Sequence, residues 1–406
     1  MKSLRKPRHV QVTNFNSKVV RDLNRSVILN LIREQQPISR AKLAQLTKLN
    51  KSTVSSIVEG LVDEKLLEER ADKRQRVGRT PINLQLRTGM HLFGAIYFDS
   101  FTTRIAIVDI DGTIRESMDR RTEVANPEQF VARCLHELNA LRDQNGYPTF
   151  KGIGVTVAGI VDSGLSKVVF APNLGWDNLD LAKVIRDCCP EVPIIALEND
   201  AKALALAELW FGQHDVAFSN FVFLLVDRGI GAGVVVDRRV LHGESHAAGE
   251  FGHMTIFEGG DQCACGNPGC WEMYASDRAT VQHYLAKKNL NGESAAKLSV
   301  DDIIDAAMQG DEQAREALVN CGYYLGLGIA NIIKAVDPTT IILGGRITRA
   351  WDIIYPEIMS IVTRRAFFGK KGITSILPTS LPAKSPTLGA AALTIRKFFA
   401  DYRVSL

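Results

Sequence analysis

Residues Gly249 to Glu272 read GEFGHMTIFEGGDQCACGNPGCWE. Cys263, Cys265 and Cys270 fall within eight residues, and His253 stands ten residues upstream of the first of them. Three thiolates and one imidazole are the ligand set that tetrahedral zinc prefers, and four protein ligands leave no open coordination position, so a metal held here is structural. Gly266 and Gly269 allow the loop to turn tightly enough for the cysteines to converge. The competing reading is a set of free thiols or an adventitious disulfide. Glu250 and Glu272 flank the ligands on both sides, and carboxylates fixed beside an imidazole suit a polyhydroxylated ligand that donates hydrogen bonds. The stretch therefore reads as a zinc loop that sets the geometry of a sugar site.

At these residues a resemblance becomes specific. The run H-M-T-I, C-x-C-G-N-x-G-C-W-E, Y-A-S resembles the signature of the ROK family of bacterial sugar kinases and sugar-responsive repressors, and within it is most similar to the xylose repressors. The resemblance implies a winged helix-turn-helix followed by a two-lobed, actin-like (ribonuclease H-like) α/β body. It also implies a set of sugar-binding positions: Asn173 in A-P-N-L-G-W, Asn199 and Asp200 in L-E-N-D-A, and Glu250, His253 and Glu272 in the zinc segment. Amides and carboxylates together offer the donors and acceptors that ring hydroxyls need. In the kinases of the family the residue matching Asp200 is the general base; capping of the following helix is its bland alternative. Trp176 and Trp271 suit either an apolar wall of the site or the core.

With 406 residues, 46% hydrophobic and 23% charged, the chain has the length and composition of a soluble protein of two or three domains. No apolar run approaches the ~18 residues of a membrane helix, and the start M-K-S-L-R-K-P-R-H has no signal-peptide core, so a cytoplasmic protein without a membrane partner is expected. Cys134, Cys188, Cys189 and Cys321 read as reduced thiols in or at the ends of helices. Charge is uneven: residues 1–80 carry 18 Lys and Arg against 8 Asp and Glu, and the remainder 31 against 37. One end of the chain suits a polyanion.

That basic end has the helix pattern of a DNA-binding head. Val27, Ile28, Leu31 and Ile32 space a first helix over 25–34, which Pro37 stops. Ser39 caps a second helix over 40–46, with Ala41, Leu43, Ala44 and Leu46 as packing positions, and Asn50 caps a third reaching Leu61. Val54, Ile57, Val58 and Leu61 face inward. Arg40, Asn50, Lys51, Ser52, Thr53 and Ser55 then lie where a recognition helix meets base edges and phosphates of double-stranded operator DNA. Two short strands around 66–67 and 82–86 bracket a basic wing, from which Arg74, Arg76 and Arg79 reach for DNA, Arg79 beside Gly78 suiting a narrow minor groove.

Within the body, a hairpin over 92–109, a helix over 128–142 and a strand over 152–157 open a first lobe; a helix over 181–188 and a strand over 193–197 complete it. The family's kinases hold ATP on D-x-G-G-T and G-T-G-x-G-x-G loops. Here the matching segments are Asp99-Ser100-Phe101-Thr102-Thr103 and Asp227-Arg228-Gly229-Ile230-Gly231-Ala232-Gly233, so Phe101 and Asp227 stand where glycine backbone must approach phosphate. Gly229, Gly231 and Gly233 are expected as turn glycines. A helix over 312–336 carries Gly322, Gly326 and Gly328 at close-approach spacing, and a last helix from Pro386 is expected to pack on the first lobe. The expected division is a head and linker over 1–88, a first lobe over 89–198 completed by 385–406, and a second lobe over 199–384. The expected function is a non-enzymatic, homodimeric repressor released from its operator by xylose or a related monosaccharide. The alternatives are an ATP-dependent sugar kinase with an accessory DNA head, and a repressor governed by a protein partner.

Overall fold

The computed structural model describes residues 17–71, 82–214, 219–288, 298–366, 374–382 and 385–400. The chain divides into two compact units. One comprises the described residues up to Leu92 with Asp109–Asp111 and the chain from Ile395 onward; the other comprises Phe93–Val108 and Gly112–Thr394. Both expected lobes thus fall within one unit, and the last helix contributes to both.

In the first unit, α1 (Ser17–Gln35) is longer than expected and buries Ile28, Leu29 and Ile32. With those three fixing its inward face, Val27 is turned outward at 42% exposure, contrary to the sequence reading. β1 (Ile38–Ser39) leads into α2 (Arg40–Thr47), where the Ser39 side chain accepts from the Lys42 amide at 3.2 Å. Of the four expected packing positions in α2 only Leu43 is buried; Leu46, on its last turn, is exposed. Lys48 breaks the helix in the left-handed conformation, and Asn50 caps α3 (Lys51–Asp63) by accepting from the Thr53 amide at 2.7 Å. Val54, Ile57, Val58 and Leu61 are buried, as their spacing requires. β2 (Leu67–Ala71) and β3 (Ile82–Leu86) pair antiparallel, with β1 on the other edge of β3. The connection that carries Arg74, Arg76 and Arg79 lies outside the described residues.

The second unit holds two five-stranded sheets. In the first sheet the order is β11-β7-β4-β5-β6. These are β4 (Leu92–Phe98), β5 (Thr102–Asp109), β6 (Ile114–Arg121), β7 (Gly152–Val157) and β11 (Ile195–Asn199), with α4 (Pro127–Gln144) and α5 (Leu181–Cys188) in the connections. Between β7 and α5 a small sheet of β8 (Ile160–Asp162), β9 (Lys167–Ala171) and β10 (Trp176–Leu179) was not foreseen, because its exposed Leu165, Val169 and Phe170 blur the alternation of a half-buried strand. After β11, α6 (Asp200–Phe211) leads to the second sheet: β12 (Phe221–Val226), β13 (Ile230–Val236), β14 (Arg239–Val240), then β15 (Thr340–Gly344) and β16 (Ser375–Pro378), in the order β14-β13-β12-β15-β16. Its helices are α7 (Glu272–Ala275), α8 (Asp277–Lys288), α9 (Val300–Met308), α10 (Glu312–Val336) and α11 (Trp351–Arg365). α12 (Ser385–Ala400) closes the chain.

Gly231 and Gly233 lie within strand β13, not in a turn as the sequence reading had it. A methyl group on Gly231 would stand 2.8 Å from the Ala201 Cβ and one on Gly233 2.5 Å from the Ala205 Cβ, so these glycines let β13 press directly on α6. On α12, a methyl group on Gly389 would stand 3.2 Å from the Ala203 backbone of α6. Trp271 is fully buried, with its indole N–H donating to the Tyr324 carbonyl at 2.7 Å, and Trp176 is buried against Phe98. Both tryptophans are core.

Candidate functional site

Backbone hydrogen bonds shape the metal loop before any metal enters. Ile256 donates to the Gly269 carbonyl at 2.9 Å, Trp271 to Met254 at 2.9 Å and Cys263 to Asn267 at 3.0 Å. Gly266 (φ +95°) and Gly269 (φ +74°) occupy the left-handed region, which the loop demands and other residues resist. The result brings one nitrogen of His253 and the sulfurs of Cys263, Cys265 and Cys270 within 4.8 Å of one another. Cys265 Sγ is 3.5 Å from Cys270 Sγ, and Cys263 Sγ is 3.6 Å from His253 Nδ1. Zinc with ordinary Zn–S and Zn–N bond lengths in a tetrahedron would space such pairs by about 3.8 and 3.5 Å. The residues present therefore fit the ion. Burial raises the thiols of Cys263 and Cys270, whereas the Asn267 backbone N–H lowers that of the exposed Cys265. Among the described residues no other group of His, Cys, Asp and Glu side chains converges in this way.

The loop hands two carboxylates to the neighbouring space. His253 presents Nδ1 to the sulfurs and leaves Nε2 facing Glu250, whose Oε2 is 4.0 Å away. Glu272 Oε1 is 3.6 Å from His253 Nδ1 and 3.1 Å from Cys263 Sγ, so this carboxylate lies on the metal side of the histidine. Asp200 begins α6 and is almost fully buried; burial, reinforced by Asp227, Asp99 and Glu250, pushes its carboxyl up to about 7. Asn173 stands exposed on the short 3-10 turn Pro172–Leu174.

Asn199, expected at the sugar, is also engaged within the protein. Its oxygen accepts from the Lys202 amide at 3.1 Å and its nitrogen donates to the Gly159 carbonyl at 3.1 Å, so it caps α6 and ties it to the loop after β7. Asp200 engages the helix start as well, one oxygen accepting from the Ala201 amide at 2.8 Å, which leaves its other oxygen for a ligand. Lys202, missed from the sequence, is also buried and donates from Nζ to the His246 carbonyl at 2.6 Å. Glu198 Oε2 lies 2.7 Å from His242 Nε2, and Asp162 Oδ2 lies 3.7 Å from His246 Nε2. These contacts pin the segment that leads into Glu250. A lone lysine in the otherwise small and apolar run D-A-K-A-L-A-L-A was the available signal.

Two hairpin tips face each other beside this site: Asp99-Ser100-Phe101 between β4 and β5, and Asp227-Arg228-Gly229 between β12 and β13. The Arg228 guanidinium lies 3.6 Å from the Phe101 ring centroid. Burial and the proximity of Asp99 raise the carboxyl of Asp227. Beyond the Gly344-Gly345 turn, Arg349 pairs with Asp301 and Asp305 at 2.5 and 2.6 Å, and Arg346 with Asp301 at 3.3 Å.

On the head, Lys51 and Ser52 are exposed at the start of α3, Thr53 and Ser55 are half-buried, and the exposed Ser56 extends the same polar face. Asn50 is occupied by its cap and also accepts from the Ser52 hydroxyl at 2.9 Å. Arg40 does not project freely: it pairs with Glu69 at 2.8 Å and Glu59 at 3.4 Å, bracing α2 against β2 and α3. No described helix is long and apolar enough to cross a membrane.

Residues 99–397 match the ROK family. A xylose repressor of Bacillus spizizenii is 34% identical over 387 residues, covering 93% of this chain and 96% of its own. Among solved structures, a ROK family transcriptional regulator described as a homologue of the E. coli MLC protein superposes with a TM-score of 0.78 at 28% identity, over 95% of this chain and 98% of its own. A ROK family glucokinase from Streptomyces griseus, in complex with glucose and AMPPNP, matches with a TM-score of 0.65 at 25% identity, over 74% of this chain and 98% of its own.

Proposed function

Because the chain belongs to the ROK family, we propose that it is a sugar-responsive, DNA-binding transcriptional repressor of the cytoplasm. One observation carries the reading: α2, a three-residue break and α3 precede a β-hairpin in the manner of a winged helix-turn-helix, and α3 opens with the exposed polar face Lys51-Ser52 on the most basic part of the chain. Thr53 and Ser55 extend that face toward base edges; Arg74, Arg76 and Arg79 supply phosphate or minor-groove contacts from the wing. The protein acts as a homodimer on a two-fold-symmetric operator.

The effector is D-xylose or a related monosaccharide, held by Asn173, Asp200, Glu250, His253 and Glu272. Zinc on His253, Cys263, Cys265 and Cys270 would be structural: it cross-links the loop that carries these groups and performs no chemistry on the sugar. Sugar binds one conformation of the body more tightly than the other, and that difference alone sets how far it can shift operator release. The test is operator anisotropy across a D-xylose titration, on a site selected from random DNA. Sugar-dependent loss of binding is expected; DNA binding that sugar leaves unchanged or strengthens refutes release by effector.

The kinase reading has one observation in its favour, the Asp200 carboxyl raised to about 7, a value that suits a general base near neutrality. Against it, Phe101 and Asp227 stand where backbone would cradle phosphate, with the Arg228 side chain stacked on Phe101. A coupled ADP-release assay over common sugars is expected to stay at background. Turnover abolished in Asp200→Asn would establish the kinase instead.

A further inference from the structure

Phe101 is 56% exposed at the tip of a hairpin, an unusual place for a large aromatic ring. Its partner explains it. The Arg228 guanidinium lies 3.6 Å from the ring centroid, within stacking range. The two residues are 127 positions apart and belong to the tips of hairpins from different sheets. Each tip also carries a carboxylate, Asp99 on one and Asp227 on the other, so the tips repel through like charges and attract through the ring and the guanidinium.

The next residue connects this stack with the effector site. Gly229 is so close to Glu272 that a methyl group on it would stand 2.5 Å from Glu272 Oε2, and the other oxygen of that carboxylate is 3.6 Å from His253 Nδ1. Arg228 and Glu272 also line one small cavity, with Ser276 and Arg278. Contacts thus run without interruption from Phe101 on the first sheet through Arg228 and Gly229 to Glu272 beside the metal loop.

We propose that Phe101 and Arg228 are a positioning pair for the effector: their stack joins the two hairpin tips and holds Gly229 against Glu272, fixing that carboxylate where sugar hydroxyls meet it. The pair touches no sugar itself. The proposal rests on the reading of Glu272 as part of the sugar site. It makes the face of the ring, and not its bulk, the property that matters, since a cation is attracted to a π-face and not to an aliphatic side chain of similar size.

The test is calorimetric titration with D-xylose, L-arabinose and D-glucose, keeping the sugar that wild type binds most tightly. Phe101→Leu is expected to weaken that sugar about threefold to tenfold, the range for loss of one cation–π contact at a partly exposed position. Phe101→Tyr and Phe101→Trp should stay within about twofold of wild type for the same reason. Arg228→Gln should match the loss in Phe101→Leu, and the double variant should lose little more than either, because both remove one contact. Zinc content by elemental analysis should not change in any of them, and the melting temperature should fall by no more than a few degrees. Unchanged affinity in Phe101→Leu, equal losses in the Leu and Tyr variants, or additive losses in the double variant would overturn the positioning role while leaving the sugar site standing. A wild type that binds none of the sugars overturns both.

Discussion

The metal loop and the cleft between the hairpin tips lie at the same site and are built in opposite ways. His253, Cys263, Cys265 and Cys270 come from one continuous stretch, folded on itself by its own backbone hydrogen bonds. Phe101 and Arg228 come from hairpins of different sheets and meet only when both sheets are in place, with the Asp200 carboxyl of α6 close enough to feel the Asp99 and Asp227 carboxylates of the same two tips. A zinc ion on the loop would be shared by all four ligands, so on the proposed reading removal of any ligand should undo the metal site as a whole. The cleft depends on many weak contacts, so its perturbations should be graded.

Cys265→Ser gives the largest expected effect and the sharpest form of this contrast. Loss of one thiolate should reduce bound zinc from one per chain to none and weaken sugar by more than tenfold, with elemental analysis and calorimetry as the paired measurements. Retained sugar affinity in zinc-free protein would dissolve the distinction, since the loop would then stand without its ion.

Asp200→Asn probes the cleft through pH. The folded-state carboxyl at about 7 is above the ordinary unfolded value, so the folded chain holds a proton that the unfolded chain has lost. Stability from this group is full below the unfolded value, near pH 4, and falls as pH rises to about 7, by a few kcal/mol in order of magnitude. Urea unfolding at pH 5 and 8 should show Asp200→Asn gaining on wild type at the higher pH. An equal difference at both values would mean that Asp200 is not a buried acid of this kind.

Glu250→Gln lies between the two regions. Hydrogen bonds to charged groups contribute about 1.5–3 kcal/mol, so sugar should bind roughly tenfold to a hundredfold more weakly, with sugar-free operator affinity and zinc content unchanged. An unchanged titration would put the effector elsewhere. The smallest effect is expected in the head: Arg40→Ala removes exposed ion pairs to Glu59 and Glu69 and should lower head stability by no more than about 1 kcal/mol by urea unfolding. A larger loss would show that the brace matters more to the head than its exposure implies.

The same contrast explains what could be read before the fold was known. Ligand spacing in the metal loop, the inward face of α3 and the whole extent of α10 depend on neighbours a few residues away, and the sequence analysis found them. Asn199 and Asp200 are adjacent, both suited to a helix start and both suited to a sugar; in the fold both accept from amides of the first turn, and only the distant Gly159 carbonyl shows that Asn199 also ties the helix to the loop after β7. Gly231 and Gly233 read as turn glycines because G-x-G is a turn pattern, and nothing in the local sequence reveals a helix pressed on the strand. Val27 and Leu46 have the apolar character of core residues, but the phase of each helix, set by Ile28, Ile32 and Leu43, turns them outward. The stack of Arg228 on Phe101 joins two turns whose individual sequences give no hint of each other.

The contacts of α6 have a further consequence, for how such a protein can change over generations. β13 meets the helix through Gly231 and Gly233, and α12 meets it through Gly389, against the alanines at 201, 203 and 205. At this seam size decides: a methyl group added to Gly231 or Gly233 meets an alanine Cβ of α6 whatever its polarity, and an alanine-to-glycine change on the helix is the way to make room. Changes at the seam must therefore come in pairs. Substitutions near Asn173 or Glu250 are free of that constraint, whereas those on the face of α6 that meets β13 are bound by it.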